Sequence, residues 1–153
     1  DAGGMKRAEA FRERLAARIE ASVAGGFMEK SRSEGVVSGE TLVGPVQGRT
    51  VVILDDLIAS GGTMRRTAQA AQAQGASGVL AVAAHGLFVG KAAGVFADPV
   101  FDAVLVTDSV PPFRLKGTHA RDRVEVVPVG ETIGEMLRRW QAGEPPTDVP
   151  GAA

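Results

Sequence analysis

The 153-residue chain contains no cysteine, no tyrosine and a single tryptophan, Trp140. Without cysteine there is no disulfide, no thiolate metal site and no cysteine nucleophile. With so few large aromatics, a platform for stacking single-stranded nucleic acid is not expected. Charge of one sign is missing too: 17 Lys+Arg against 18 Asp+Glu leave a formal net charge of -1. Such a balance offers no basic field to nucleic acid or to an anionic membrane. The longest apolar run, residues 79–88, is too short to span a bilayer and contains His85. No charged-then-apolar leader opens the chain, so a cytoplasmic location is the expectation.

What is present has an ordinary globular balance, 44% apolar and 23% charged, in enough chain for one domain with a real core. Met5, Ala8, Phe11, Leu15 and Ile19 recur at spacings of three or four and predict a helix over 5–19, with 1–4 as a loop feeding it. Residues 21–28 form a weak strand candidate, and the polar stretch 29–40, EKSRSEGVVSGE, reads as a mobile loop. Thr50 to Leu54 is a short apolar run bounded by turn signals, the pattern of a strand buried on both faces. Ala/Gln/Arg-rich sequence predicts a helix over 62–74, closed by Gly75. Strands are predicted over 79–84, 103–106 and 124–129, a short helix over 91–97 and a last helix over 131–140. That last helix carries Ile133, Met136, Leu137 and Trp140 on one stripe, and the Pro/Gly-rich tail reads as disordered. Strands alternating with helices imply a parallel α/β sheet with helices on both faces, whose ligands bind at the strands' carboxyl ends.

At one such end stands VVILDDLIASGGT. Ala59, Ser60, Gly61, Gly62 and Thr63 join a strand to a helix, so their backbone N–H groups can converge on an anion at the helix dipole's positive end. The stretch lacks the lysine and spacing of a Walker A loop, so a monophosphate suits it better than a triphosphate. The adjacent Asp55 and Asp56 repel each other, and a plain turn needs neither. They make sense as acceptors for hydroxyls or as oxygen ligands of a hard cation. A sugar phosphate would satisfy both the loop and the acids.

Other polar residues keep two readings. Lys30 and Arg32 belong either to a solvated loop or to a cationic loop closing over a phosphate-rich transition state. His85 is a satisfied loop or core histidine or a site residue; His119, Arg65 and Arg66 are expected to face solvent. Thr107, Asp108 and Ser109 form either a second lip of the site or a structural turn.

VVILDDLIASGGT resembles the phosphoribosyl pyrophosphate (PRPP) signature of type I phosphoribosyltransferases. Together with DAGGMKRAEAF, the Lys-x-Arg of EKSRS, VVSGETLVGPVQGRT, AAHGLF and VTDSVPP, in that order, it is similar to the ribose-phosphate pyrophosphokinase (PRPP synthetase) family. The resemblance implies a phosphoribosyltransferase-like domain over 1–140, the C-terminal half of a two-domain enzyme, with 141–153 as the tail. It implies a sheet lacking its first strand, since a core strand of that fold would precede Asp1. It also assigns roles: the loop 59–63 to the 5-phosphate of ribose 5-phosphate, Asp55 and Asp56 to the ribose hydroxyls, Asp1 to the Mg²⁺ and ribose site, and Lys30 and Arg32 to transition-state stabilisation. The reaction implied is transfer of diphosphate from ATP to the anomeric hydroxyl, giving PRPP and AMP, by a full-length homo-oligomer, with the isolated chain inactive. Ala59, Ser60 and Ser31 depart from the family pattern, and residues 114–123 match it poorly. A PRPP-consuming phosphoribosyltransferase and a non-catalytic regulatory paralogue are the alternatives.

Overall fold

The computed structural model describes residues 2–33 and 36–144, with side chains described over 4–29 and 41–144. Asp1 and most of the expected tail therefore lie outside the described residues. In chain order the elements are α1 (Ala2–Ile19), β1 (Phe27–Ser33), β2 (Val36–Val43), β3 (Thr50–Ile58), α2 (Gly62–Ala73), β4 (Gly78–Gly86), α3 (Ala92–Phe96), β5 (Ala103–Thr107), β6 (Val124–Val127) and α4 (Gly130–Gln141).

The apolar runs lie side by side in a four-stranded sheet of order β3-β4-β5-β6. Every pair is parallel, with Val51 opposite Val79, Leu80 opposite Ala103 and Val104 opposite Val124. Parallel neighbours require a crossover. Here α2 carries the chain from β3 to β4, α3 from β4 to β5, and two short 3-10 turns (Phe113–Leu115 and His119–Arg123) from β5 to β6. The expected α/β class with a parallel sheet flanked by helices is what the chain adopts.

Packing follows the two periodicities. On β4, Val79, Ala81 and Ala83 are buried at alternate positions. On α2, Met64, Thr67, Ala68 and Ala71 are buried at the spacing of one helix face. Beneath α3, Phe96 meets Phe88 edge-on at 5.5 Å between centroids and Phe101 at 5.2 Å. Phe96 and Phe101 are fully buried, each contributing about 1.5–3 kcal/mol of burial. Gly75 follows the cap residue Gln74 at φ 85°, and its amide and that of Ala76 donate back to Gln72 and Ala71. The glycine stop is therefore a left-handed residue just past the helix.

Several expectations need correction. The polar stretch 29–40 is not a loop through its length: β1 and β2 form an antiparallel ribbon, with Lys30 opposite Glu40 and Arg32 opposite Val37. A two-stranded ribbon need not bury either face, so its strands can lack the apolar alternation that a sheet strand shows. Its base is anchored where Gln74 Nε2 donates to the Leu42 carbonyl at 2.8 Å. Residues 2–4, expected in a loop, are the first residues of α1. β3 runs to Ile58 rather than stopping at Leu54, so both acids lie inside a strand. The apolar stripe of α4 is real but no residue of that helix is buried, and Trp140 is 70% exposed.

Among the described residues β3 is an edge strand. Its successive residues Val51, Val52, Ile53, Leu54 and Asp55 all line one cavity of about 760 Å³, across from Phe11 and Leu15 of α1. Strand side chains alternate between faces. A cavity touching five in a row must follow the strand's free edge.

Candidate functional site

The loop after β3 is built from both sides. Gly61 caps α2 at φ 76°, a left-handed conformation that favours glycine. No side chain caps the helix, so its first N–H groups have no side-chain partner at the cap. The segment after β4 zips onto the loop: Leu87 N–H donates to the Ile58 carbonyl at 2.9 Å, and Val89 N–H to the Ala59 carbonyl at 3.0 Å. Thr67 Oγ1 donates to the Thr63 carbonyl at 3.1 Å and Arg66 Nη2 to Thr63 Oγ1 at 3.3 Å. Ala59, Ser60, Gly61, Gly62 and Thr63 are thus a turn tied on both sides, leading into a helix start that no side chain caps, with a guanidinium beside it. That arrangement suits a phosphate-sized anion.

The acids stand one turn back along the same strand. Asp55 Oδ1 accepts the Asp56 N–H at 2.9 Å. Asp56 Oδ2 lies 3.1 Å from Arg7 Nη2 of α1, both side chains being more than half exposed. Loss of water around the Asp55 carboxyl pushes its pKa above the ordinary aspartate value. The Asp56 carboxylate pushes the same way, while the Asp56 amide and Arg7 pull it back. Asp55 is therefore an acid whose pKa is raised, and Asp56 is the one with an ion-pair partner.

On the neighbouring strand, His85 pairs with Leu57, two positions beyond the Asp55–Ala83 pair. Its Nδ1 lies 2.7 Å from Ser109 Oγ, which lies 2.7 Å from Thr107 Oγ1. Asp108 does something different. Its Oδ1 accepts the Val129 N–H at 3.0 Å and its own N–H donates to the Val127 carbonyl at 3.1 Å. The Thr-Asp-Ser segment therefore divides: the acid ties a turn, and the hydroxyls meet the histidine. His119 is exposed in the second 3-10 turn.

The sheet thus brings together Asp55, Asp56 and the loop 59–63 at one edge. Lys30 and Arg32 lie on β1, with a register shift between Ser31 and Arg32; their side chains and Asp1 are outside the described residues. Two cations had no site role in the sequence reading. Arg66 is exposed, as expected, and also reaches Thr63 three positions back on the helix, a spacing from which the contact could have been read. Arg7 could not, because its reach to Asp56 depends on where α1 docks. No group of three or more His, Cys, Asp or Glu among the described residues could cage a metal ion. The paired carboxylates suit a hard cation that keeps water and ligand phosphate in its other positions.

The chain's sequence matches the family model of the phosphoribosyl synthetase-associated domain over residues 37–148. It belongs to that family. Among curated relatives, the ribose-phosphate pyrophosphokinase of Shewanella oneidensis is 36% identical over 91% of this chain, and that of Vibrio parahaemolyticus 35% over 91%. The Aquifex aeolicus ribose-phosphate pyrophosphokinase is 31% identical over 94% of the chain. The chain spans only 42–43% of these relatives' length. The fold is similar to that of phosphoribosylpyrophosphate synthetase from Mycobacterium smegmatis, with a TM-score of 0.69, 24% identity, and 86% of this chain and 41% of that one covered.

Proposed function

We propose that this chain is the ribose 5-phosphate-binding part of a ribose-phosphate pyrophosphokinase, in which diphosphate passes from ATP to the anomeric hydroxyl of ribose 5-phosphate. The observation that carries this reading is the pairing of an uncapped glycine loop with two carboxylates at one sheet edge, in a chain related to enzymes of that name. The loop 59–63 binds the 5-phosphate through main-chain N–H groups, and Asp55 and Asp56 accept hydrogen bonds from the ribose hydroxyls. Arg7 offsets the repulsion between the two acids. With the sugar held at both ends, its anomeric oxygen is oriented to attack the β-phosphorus; an O–P bond forms there, the bond to the α-phosphate oxygen breaks, and AMP leaves.

Asp1, Lys30 and Arg32 complete this proposal, the first at the Mg²⁺ and ribose site and the other two against the charge that develops on the transferring group. Mg²⁺, when bound, supplies neutralisation of phosphate charge. The transfer itself is assigned to the full-length protein, acting as a cytoplasmic homo-oligomer in PRPP supply for nucleotide biosynthesis. The isolated chain is assigned acceptor binding without turnover. No helix among the described residues is long and apolar enough to cross a membrane.

Isothermal titration with ribose 5-phosphate in the presence of Mg²⁺ tests the reading. Binding that Asp55→Ala and Gly61→Val each abolish would support it. A folded sample that takes up no ribose 5-phosphate would overturn it.

A further inference from the structure

His85 is the penultimate residue of β4, in an exposed position, and its environment contains a count of hydrogens that does not close in every tautomer. Three short contacts link it inward: His85 Nδ1 to Ser109 Oγ at 2.7 Å, Ser109 Oγ to Thr107 Oγ1 at 2.7 Å, and Thr107 Oγ1 to the Ala84 carbonyl at 2.6 Å. Each contact between such electronegative atoms needs one hydrogen between them. Ser109 and Thr107 bring one hydroxyl hydrogen apiece, and the carbonyl brings none. The third hydrogen must be on Nδ1. The chain then runs one way, Nδ1–H to Ser109, Ser109 O–H to Thr107, and Thr107 O–H to Ala84. The longer Ser109–Ala84 approach of 3.2 Å cannot replace a link, because using it would strip the hydrogen from the Ser109–Thr107 contact.

The consequence falls on the other ring nitrogen. In neutral His85 the Nε2 atom carries a bare lone pair and accepts a hydrogen bond. Ser109 follows β5, on the side of β4 away from β3, so Nε2 is directed away from the β5 loop. Through the Asp55–Ala83 and Leu57–His85 pairings, His85 and Asp55 share one sheet face by alternation, with Cα atoms about 8 Å apart from strand spacing and rise. One sugar spans that distance.

We infer that His85 is a ligand-contacting residue of this site, held as the Nδ1–H tautomer by Ser109 and Thr107, whose Nε2 accepts a hydrogen bond from a hydroxyl of the bound sugar phosphate. This rests on the ribose 5-phosphate reading above. Ser109 and Thr107 are positioning residues, acting only through the ring.

The chain holds two histidines, so histidine ¹⁵N NMR of the labelled chain gives two ring systems, and His119→Gln assigns them. The expected spectrum at a pH above the imidazole titration shows His85 with a protonated Nδ1 and a bare Nε2. Ser109→Ala should convert this to a mixture of tautomers without lowering the melting temperature materially. On adding ribose 5-phosphate, the Gly61 and Gly62 amides report loop occupancy and the His85 Nε2 signal should move toward that of a hydrogen-bonded nitrogen. His85→Ala should weaken binding about threefold to tenfold, the range for one neutral hydrogen bond. A protonated Nε2 in the free chain overturns the inference outright. So does an unmoved Nε2 when the Gly61 and Gly62 amides shift, and in that case the ribose 5-phosphate reading survives. If those amides do not move, the reading fails and the His85 contact falls with it.

Discussion

A Cβ atom added to Gly61 would lie 2.4 Å from Cε2 of Phe96 and 3.0 Å from Cγ1 of Val95. The phosphate-sized loop and the aromatic core are therefore in direct contact, and the loop's shape is set by α3 as much as by its own glycines. Gly61→Ala meets both a clash, costing about 1–3 kcal/mol, and a positive φ, costing about 1–2 kcal/mol. Gly62 has no positive φ, and an added Cβ there would have only Arg66 Nη1 at 3.8 Å and Ser60 Oγ at 3.9 Å for company. Urea unfolding should show Gly61→Ala losing about 2–5 kcal/mol and Gly62→Ala within about 0.5–1 kcal/mol of the parent. Equal losses would mean that the Phe96 contact does not shape the loop.

Asp55 carries a proton more readily in the folded chain than in the unfolded one, chiefly through lost hydration. The sign follows from linkage: its stability contribution is fully present below the ordinary aspartate pKa and is lost as pH rises through the raised folded value. Asp55→Asn keeps an oxygen for the Asp56 amide and removes the ionisation. It should raise the urea midpoint at pH 7, and the gain should vanish in acid below the ordinary aspartate range. A gain of the same size at both pH values would show that ionisation is not its source.

Arg7 and Asp56 form an exposed pair, worth about 0–1 kcal/mol to stability. Its larger effect is on the neighbouring acid, because Arg7 pulls the Asp55 pKa down. Arg7→Gln should leave the unfolding free energy nearly unchanged and move the Asp55 carboxyl titration, followed by ¹³C NMR, to higher pH. A downward or absent shift would contradict the proposed electrostatic link between α1 and the site.

Phe101 is fully buried against Phe96, whereas Phe113 is 61% exposed with the Arg114 guanidinium 4.4 Å above its ring. Phe101→Ala should cost about 3–5 kcal/mol; Phe113→Ala should cost no more than the stacked cation supplies, about 0.5–1 kcal/mol. Thermal or urea melts of the two variants separate core from surface directly.

The free edge of β3 makes a prediction of its own. In a parallel sheet, alternate residues of an edge strand direct their N–H groups away from the only neighbour. Hydrogen exchange should therefore split the amides of Val51, Val52, Ile53 and Leu54 into a fast and a slow alternating set, while those from Val79 to Ala83 on β4 are uniformly slow. Uniform protection along β3 would mean that the edge is covered.

The sequence reading was strongest where one local rule decided the outcome. The run VVIL is a strand as expected, though half-buried at an edge rather than buried on both faces; Gly75 follows a helix, and the acids with ASGGT marked the candidate site for hydroxyls and an anion. It failed where two rules competed. The stretch 29–40 is polar enough for a loop, but its backbone pairs across a ribbon that asks for no apolar face. Asp55 and Asp56 looked like the end of a strand because carboxylates break an apolar run. The backbone ladder with β4 nonetheless continues past them to Ile58.

By itself, then, the sequence determined which segments are strands of one parallel sheet, which turn is the candidate for an anion, and which family the chain resembles. Those features are written in short-range periodicity and in residue types at fixed spacing. Only the tertiary structure decided that Arg7 reaches Asp56, that Phe96 props Gly61, and that His85, Ser109 and Thr107 share a line of hydrogens. Each of these depends on a contact between residues 24 to 49 positions apart in the chain. No local pattern encodes such a meeting, because it depends on how completed elements pack against one another.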